Sequence, residues 1–133
     1  MLFGDEHVRR YQETDGREGH DWMGTSVLLL TTVGRKSGRE IVKPLIYQRH
    51  GDDYLVVPSN GGSPTPPAWY LNLEAEPEVQ VQVWGEKFKA RARAATPEEK
   101  PARWRTMTAV WPQYDEYQKK TDREIPVVIL ERR

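Results

Sequence analysis

The sequence predicts a mainly β fold with some helix (α+β), a six-stranded antiparallel barrel capped by short helices. Three observations carry this expectation. Six stretches of strand-type residues recur between residue 25 and residue 131, separated by turn signals. The helical segments between them are few and short. One pair, Val79–Val83 and Phe88–Ala94, alternates apolar with polar residues on both sides of a Gly85-Glu86 turn, as a half-buried hairpin must. Short strands with only brief helices favour a closed antiparallel barrel.

Taken in order, residues 1–24 form a polar N-terminal segment punctuated by Gly16, Gly19 and Gly24, with a short helix over Val8–Glu13 and loop elsewhere. Residues 25–133 read as one domain. Thr25–Val33 is rich in leucine and β-branched residues and nearly continuous in its hydrophobicity, which suits a strand buried on both faces. A second strand covers Ile41–Arg49. Pro44 within it has no N–H for a ladder and marks an edge or a bulge.

His50-Gly51-Asp52-Asp53 is a turn into a third strand over Tyr54–Pro58. A loop with two glycines and three prolines follows. Thr65 is placed to cap a helix with Pro66 at its first position, running through Trp69, Leu71 and Leu73 until Pro77. After the hairpin, Thr96 and Glu99 have the spacing of a capping box. They precede a helix with Trp104, Met107 and Trp111 at core spacing, which Pro101 weakens in its first turn. Pro112 restarts the chain as a second short helix with Tyr114 and Tyr117 on one face, and Ile125–Glu131 is the last strand.

Length and composition narrow the function. The chain has 133 residues, with 20 acidic and 20 basic side chains. The net charge of zero supplies no global field toward nucleic acid or anionic lipid. The absence of cysteine excludes a thiolate nucleophile, a disulfide scaffold and a cysteine metal site. The longest apolar runs, such as Val27–Leu30 and Val127–Leu130, are too short to span a bilayer, and the N-terminus has no signal-peptide core. A cytoplasmic protein acting on a small molecule, as a monomer or homodimer, is the expectation. His7, His20 and His50 lie apart in polar segments and read as surface residues, so no metal site or Ser-His-Asp triad is indicated.

Basicity matters where it is concentrated. Gly34-Arg35-Lys36-Ser37-Gly38-Arg39 joins two strands and combines three cations, a hydroxyl and two glycines. Glycine permits an amide nest, and Arg and Lys add charge-assisted bonds, so the turn suits a phosphate or carboxylate. Lys43 on the next strand shares a face with Ile41 and Leu45 if that strand is regular. Ser59-Asn60-Gly61-Gly62 is a second anion-friendly turn leaving a strand, and the two turns are placed to face one ligand. Trp69, Trp111, Tyr114 and Tyr117 add rings that either pack a core or wall a site for a flat cofactor.

As a set, Gly34-Arg35-Lys36-Ser37-Gly38, Val42-Lys43-Pro44-Leu45, Ser59-Asn60-Gly61-Gly62, Pro67-Ala68-Trp69-Tyr70-Leu71-Asn72-Leu73 and Thr121-Asp122-Arg123-Glu124-Ile125-Pro126-Val127-Val128 resemble the deazaflavin-dependent nitroreductase family. Its members use reduced coenzyme F420 and are related to the flavin and pyridoxamine-phosphate oxidase group. The resemblance runs from about Thr25 to the C-terminus. It implies a split β-barrel, hydride transfer from reduced F420 to an activated alkene, quinone or nitroaromatic, and a set of site residues. By resemblance, Arg35, Lys36, Ser37 and Gly38 hold the phosphate and anionic tail, and Pro44, Ser59, Asn60 and Trp69 line the rest of the cofactor site. Gly61 and Gly62 belong to the same turn. Ile46, Trp111, Tyr114 and Tyr117 border the acceptor, with Tyr114 placed as the catalytic hydroxyl.

Two departures stand out. Ile41 occupies a position where the family commonly has arginine, so one phosphate contact is missing unless Arg39 or Lys43 replaces it. Trp111 stands where the first acceptor-facing ring is usually tyrosine. Two rival readings remain at this level. Flavin mononucleotide would also want Arg, Lys and Ser around its phosphate, and a non-catalytic protein that shields a deazaflavin or another flat ligand needs the same turns.

Overall fold

Strand pairing closes the chain on itself. The computed structural model describes residues 1–133. In chain order the elements are α1 (Gly4–Glu13), β1 (Asp21–Trp22), β2 (Thr25–Val33), β3 (Glu40–His50), β4 (Asp53–Val56), a 3₁₀ turn (Asn60–Gly62), α2 (Ala68–Ala75), β5 (Glu78–Val83), β6 (Glu86–Ala94), α3 (Lys100–Val110), α4 (Gln113–Lys119) and β7 (Val128–Arg132). The strand order is β1-β2-β3-β4-β7-β6-β5, and a further antiparallel pairing of β5 with β2 closes six strands into a barrel. The two-residue β1 is an appendage on β2.

The central strand is hydrophobic on both sides because it is covered on both. Leu28 and Leu30 of β2 join the barrel core with Tyr54, Val81, Phe88 and Leu130. Val27 and Leu29, one residue out of phase, pack outward against Tyr11 of α1. A third cluster forms where α3 and α4 lie on the barrel, around Leu55, Met107, Tyr114, Ile125 and Ile129. Pro44 pairs with Leu29, but β4 reaches β3 only at Gln48–His50. The proline therefore sits in a half of β3 with one free side, where sheets tolerate it.

The capping box forms in both directions. The Thr96 N–H donates to Glu99 Oε1 at 2.9 Å and the Glu99 N–H donates to Thr96 Oγ1 at 3.2 Å. Arg93 also donates to both Glu99 oxygens, at 2.7 and 2.9 Å, and holds the Glu99 carboxyl well down, at about 2.

Several boundaries differ from the sequence expectation. The helix after the proline loop begins at Ala68, with Pro67 as cap, because the Pro67 carbonyl accepts from the Tyr70 and Leu71 N–H groups. Thr65 lies outside it. The third strand ends at Val56, and the last begins only at Val128, since residues before it answer to α4 and its loop. Ile125 N–H donates to Gln118 Oε1 instead of to a ladder.

The N-terminal segment is the largest correction. It holds a ten-residue helix and β1, and two of its histidines are buried rather than at the surface. His7 Nε2 donates to the Gly19 carbonyl at 2.8 Å. Gly19, at φ +114°, has no room for a side chain, because a Cβ there would lie 2.9 Å from the His7 ring. His20 stacks on Trp84 with ring centres 3.8 Å apart, its Nδ1 bonded to Asp21 and its Nε2 to the Tyr47 hydroxyl, both at 2.8 Å. Charge patterning could not show this, because each imidazole finds its partner through the fold. His50 is exposed, as expected.

Tyr11 ties this segment to the barrel. Fully buried, it donates to the Gln82 carbonyl at 3.4 Å and accepts from the Trp84 N–H at 2.9 Å. Burial pushes its hydroxyl up to about 12. The folded state thus disfavours the tyrosinate, so this contribution is complete below the unfolded value near 10 and is lost as pH rises from there through about 12. Tyr11→Phe should lower stability by about 1 kcal/mol at neutral pH through the orphaned Trp84 N–H. It should also flatten the fall in melting temperature above pH 10. An alkaline limb as steep as the parent's would remove Tyr11 as its source.

Candidate active site

A cleft of about 360 Å³ opens at one end of the barrel, where β3, the loop after β4 and the α3–α4 corner converge. β3 contributes Pro44, Leu45 and Ile46; the loop contributes Ser59, Asn60 and Gly61; the helical corner contributes Trp111, Tyr114 and Tyr117. Trp69 closes one side from α2. The structure therefore brings nine of the sequence-selected residues to one cavity. Trp22, Leu45, Val57 and Pro67 also line it and were not selected. Trp22 was hidden because it lies in a segment read as polar loop; only the β1–β2 pairing swings it beside Trp111, with ring centres 6.1 Å apart.

The helical corner is held by its own polar atoms. Trp104 Nε1 donates to Asp115 Oδ1 at 2.7 Å, and Trp111 Nε1 approaches the Tyr117 hydroxyl at 3.4 Å. Tyr114 sits between Trp104 and Tyr117, with ring centres 6.3 and 6.2 Å away. Its ring is core, yet its side chain also lines the cleft, so packing and site are not exclusive. Desolvation, and next the neighbouring Tyr117, push its hydroxyl well above the usual phenol range. It stays protonated at any working pH.

Arg123 positions the loop on the opposite wall. Its guanidinium donates to the carbonyls of Ser63 at 2.9 Å, Pro58 at 3.2 Å and Ser59 at 2.8 Å. The same segment is tied to α4, because Gln118 Nε2 donates to the Arg123 carbonyl at 2.8 Å. Arg123 lies in the last of the segments that carry the resemblance, and only the fold reveals three acceptors around it. Gly62 is turned away from the cleft. Its N–H is used by the Ser59 carbonyl, and a Cβ there would meet the Tyr117 backbone oxygen at 2.6 Å, so helix packing requires this glycine.

The basic turn stands beside the cleft rather than in its wall. Four of its six amides are already used: Gly34 donates to Arg39 O, Gly38 to Gly34 O, Arg35 to Asn72 Oδ1 and Arg39 to Ser37 Oγ. The open nest expected from sequence is thus mostly closed on itself. Arg35 Nη1 also bonds Asn72 Oδ1 at 2.9 Å, and Asn72 Nδ2 reaches Thr32 Oγ1 at 3.3 Å. This buried amide pins the turn to α2, the helix that carries Trp69. Lys36, Arg39 and Lys43 are exposed and form no ion pair, whereas Arg91, Arg93, Lys100 and Arg132 all do. The β2–β3 register is unbroken, so Lys43 shares the Leu45 side of β3, next to Pro44. Flat aromatic walls joined to free cations fit a planar cofactor with an anionic tail.

The six-stranded antiparallel barrel carries this cleft at one end. A family model described as F420H(2)-dependent quinone reductase matches residues 4–132. The F420H(2)-dependent quinone reductase Rv1261c of Mycobacterium tuberculosis (strain H37Rv) is 40% identical over 131 residues, covering 96% of this chain and 88% of its own. Among solved structures, an F420-H2 dependent reductase, FDR-A, superposes with TM-score 0.73 at 40% identity, over 79% of this chain and 93% of its own. A domain-swapped dimer superposes with TM-score 0.76 at 37% identity, over 95% of each chain. The chain belongs to the F420H(2)-dependent quinone reductase family. It is an F420H(2)-dependent oxidoreductase, and coenzyme F420 is its cofactor.

Proposed function

We propose that this protein reduces a quinone held between Trp111, Tyr114, Tyr117 and Ile46, with the cofactor between the Ser59–Gly61 loop, Pro44 and Trp69. The observation that supports this most is the cleft's two-sidedness: an aromatic, hydroxyl-bearing wall faces a polar backbone loop, with three unpaired cations at hand. Lys36, Arg39 and Lys43 take the cofactor's anionic tail, and Arg39 and Lys43 supply the charge that Ile41 does not. Arg35 and Ser37 hold the turn in shape, with Gly38 at its left-handed corner (φ +72°).

Reduced F420 supplies a hydride. The chain orients the acceptor and stabilises charge that develops on its oxygen. The Tyr114 hydroxyl donates a hydrogen bond there, in a site lined by desolvating rings. Desolvation keeps the Tyr114 proton on its oxygen, so the hydroxyl is a hydrogen-bond donor to the acceptor. No helix is long and apolar enough to cross a membrane. We place the enzyme in the cytoplasm, as a monomer or homodimer acting on a small molecule.

The test is direct. Under anaerobic conditions the protein should bind F420 more tightly than flavin mononucleotide and reoxidise F420H(2) when a quinone is added. Lys36→Ala removes one charge-assisted bond of roughly 1.5–3 kcal/mol, which is about a ten- to hundredfold rise in the F420 dissociation constant. An exposed turn lysine carries little packing, so the melting temperature should hold. Unchanged affinity in the folded variant would remove Lys36 from the site.

A further inference from the structure

Asn60-Gly61 and Asp15-Gly16 are the two places in the chain where Asn or Asp precedes glycine. In such a pair the glycine nitrogen can reach the preceding side-chain carbonyl carbon, because no Cβ stands in the way. The fold disarms one pair and leaves the other open. The Gly16 N–H donates to the Tyr11 carbonyl at 2.9 Å, and a Cβ on Gly16 would lie 2.8 Å from the Trp84 Cα. The Gly61 N–H, by contrast, finds no acceptor in the fold. Asn60 and Gly61 are both exposed, and a Cβ on Gly61 would meet nothing within 4 Å. The chain's other asparagine, Asn72, is 1% exposed, precedes Leu73 and has both amide atoms bonded.

The stems of this loop are clamped by a guanidinium, whereas its tip hangs on the Asn60 side chain. Arg123 holds the carbonyls of Pro58, Ser59 and Ser63. At the tip, Asn60 Nδ2 donates to the Thr65 carbonyl at 2.9 Å, and the Asn60 carbonyl accepts from the Ser63 N–H at 3.1 Å. Loss of the side-chain nitrogen removes the first bond outright, and a change in backbone length displaces the second. Asn60 and Gly61 also line the main cleft, so a change at this tip is a change in its wall.

We propose that Asn60-Gly61 is a self-modification site of the folded enzyme, where loss of the amide turns the cofactor wall acidic and retires enzyme that carries no cofactor. The Gly61 nitrogen, its proton taken by solvent hydroxide, bonds to Asn60 Cγ, and the Cγ–Nδ2 bond breaks with release of ammonia. Water then opens the cyclic imide at either carbonyl and leaves an aspartate or an isoaspartate at position 60. No electron is exchanged, and water is the sole co-reactant. Either product sets a carboxylate in the wall proposed above for an anionic cofactor. The isoaspartate also lengthens the backbone beside Gly62, where a Cβ would already lie 2.6 Å from the Tyr117 oxygen. The chemistry of the pair stands on the loop alone; its consequence for F420 rests on the cofactor placement given above. Bound cofactor covers the tip and shields it from solvent base.

The experiment ages the folded protein in mildly alkaline buffer at physiological temperature, with and without saturating F420, and follows it by mass spectrometry. One tryptic peptide, from His50 to Lys87, carries both asparagines, so its fragment ions assign the amide-to-acid change internally. Asn60 should convert over days while Asn72 stays intact, faster as the pH is raised, and several-fold more slowly with F420 bound. Isoaspartate methyltransferase should label the product. Asn60→Gln should stop the change. Aged protein, isolated by its added negative charge, should bind F420 about tenfold more weakly than fresh protein, as should Asn60→Asp, which is the order expected of one like charge in a partly hydrated wall. Retention of the Asn60 amide in the folded protein, over a period in which the urea-unfolded chain loses it, overturns the site. Conversion at one rate with and without F420, or aged protein that binds F420 like fresh, overturns the link to the cofactor. Failure of fresh protein to bind F420 overturns the cofactor placement itself and leaves the amide loss to be judged by mass alone.

Discussion

Tyr114→Phe should lower kcat with quinone acceptors about ten- to a hundredfold while leaving F420 affinity unchanged. Losing a donor to a developing oxyanion commonly costs at least this much. The substitution keeps the ring, so the contacts to Trp104 and Tyr117 survive and the melting temperature should not fall. Tyr114→Ala should lose both rate and stability, because the ring belongs to the cluster of Leu55, Met107 and Ile129. Removing a buried aromatic side chain costs about 3–5 kcal/mol. The pH profile is a second check. Desolvation holds the hydroxyl above the ordinary phenol range, so kcat should show no loss below pH 10 that disappears in the phenylalanine variant. A Tyr114→Phe enzyme that turns over like the parent would reduce Tyr114 to packing and assign the hydrogen bond to Tyr117 or water.

Arg123→Ala should damage both stability and cofactor binding. The guanidinium satisfies three carbonyls of the Pro58–Ser63 loop at once, which an ammonium cannot reproduce with the same planar fork. Removing it should cost about 2–3 kcal/mol, or roughly 6–12 °C in melting temperature for a chain of this length. The loop also carries Ser59, Asn60 and Gly61 into the cleft, so F420 affinity should fall about tenfold even where the protein is folded. Arg123→Lys should recover only part of either loss. An alanine variant that melts with the parent and binds F420 normally would show that Gln118 and the α4 contacts suffice to hold the loop.

These predictions rest on features that were unevenly legible in the sequence. The barrel strands were legible because each announces itself locally. Thr25–Val33 is apolar on both faces and is paired on both edges, and the β5–β6 hairpin alternates because one face is wet. The capping box at Thr96 and Glu99 is likewise a contract between residues three apart. The resemblance that runs along the chain named the cofactor class and pointed to Pro44, Ser59, Asn60, Trp69, Trp111, Tyr114 and Tyr117, all of which face one cleft.

What only the tertiary structure decided are relations between residues far apart in the chain. Charge and polarity in residues 1–24 read as solvent-facing, yet His7, His20 and Tyr11 are buried because their polar atoms find Gly19, Tyr47 and Trp84 across the fold. Trp22 enters the cleft only because β1 pairs with β2. The basic turn looks like an open amide nest in sequence, but Asn72, 37 residues from Arg35, occupies one of its amides, and the turn's own oxygens occupy three more. Local patterns record propensity and periodicity, which act over a few residues. Hydrogen-bond satisfaction and cavity shape depend on which distant atoms meet, and barrel closure determines that.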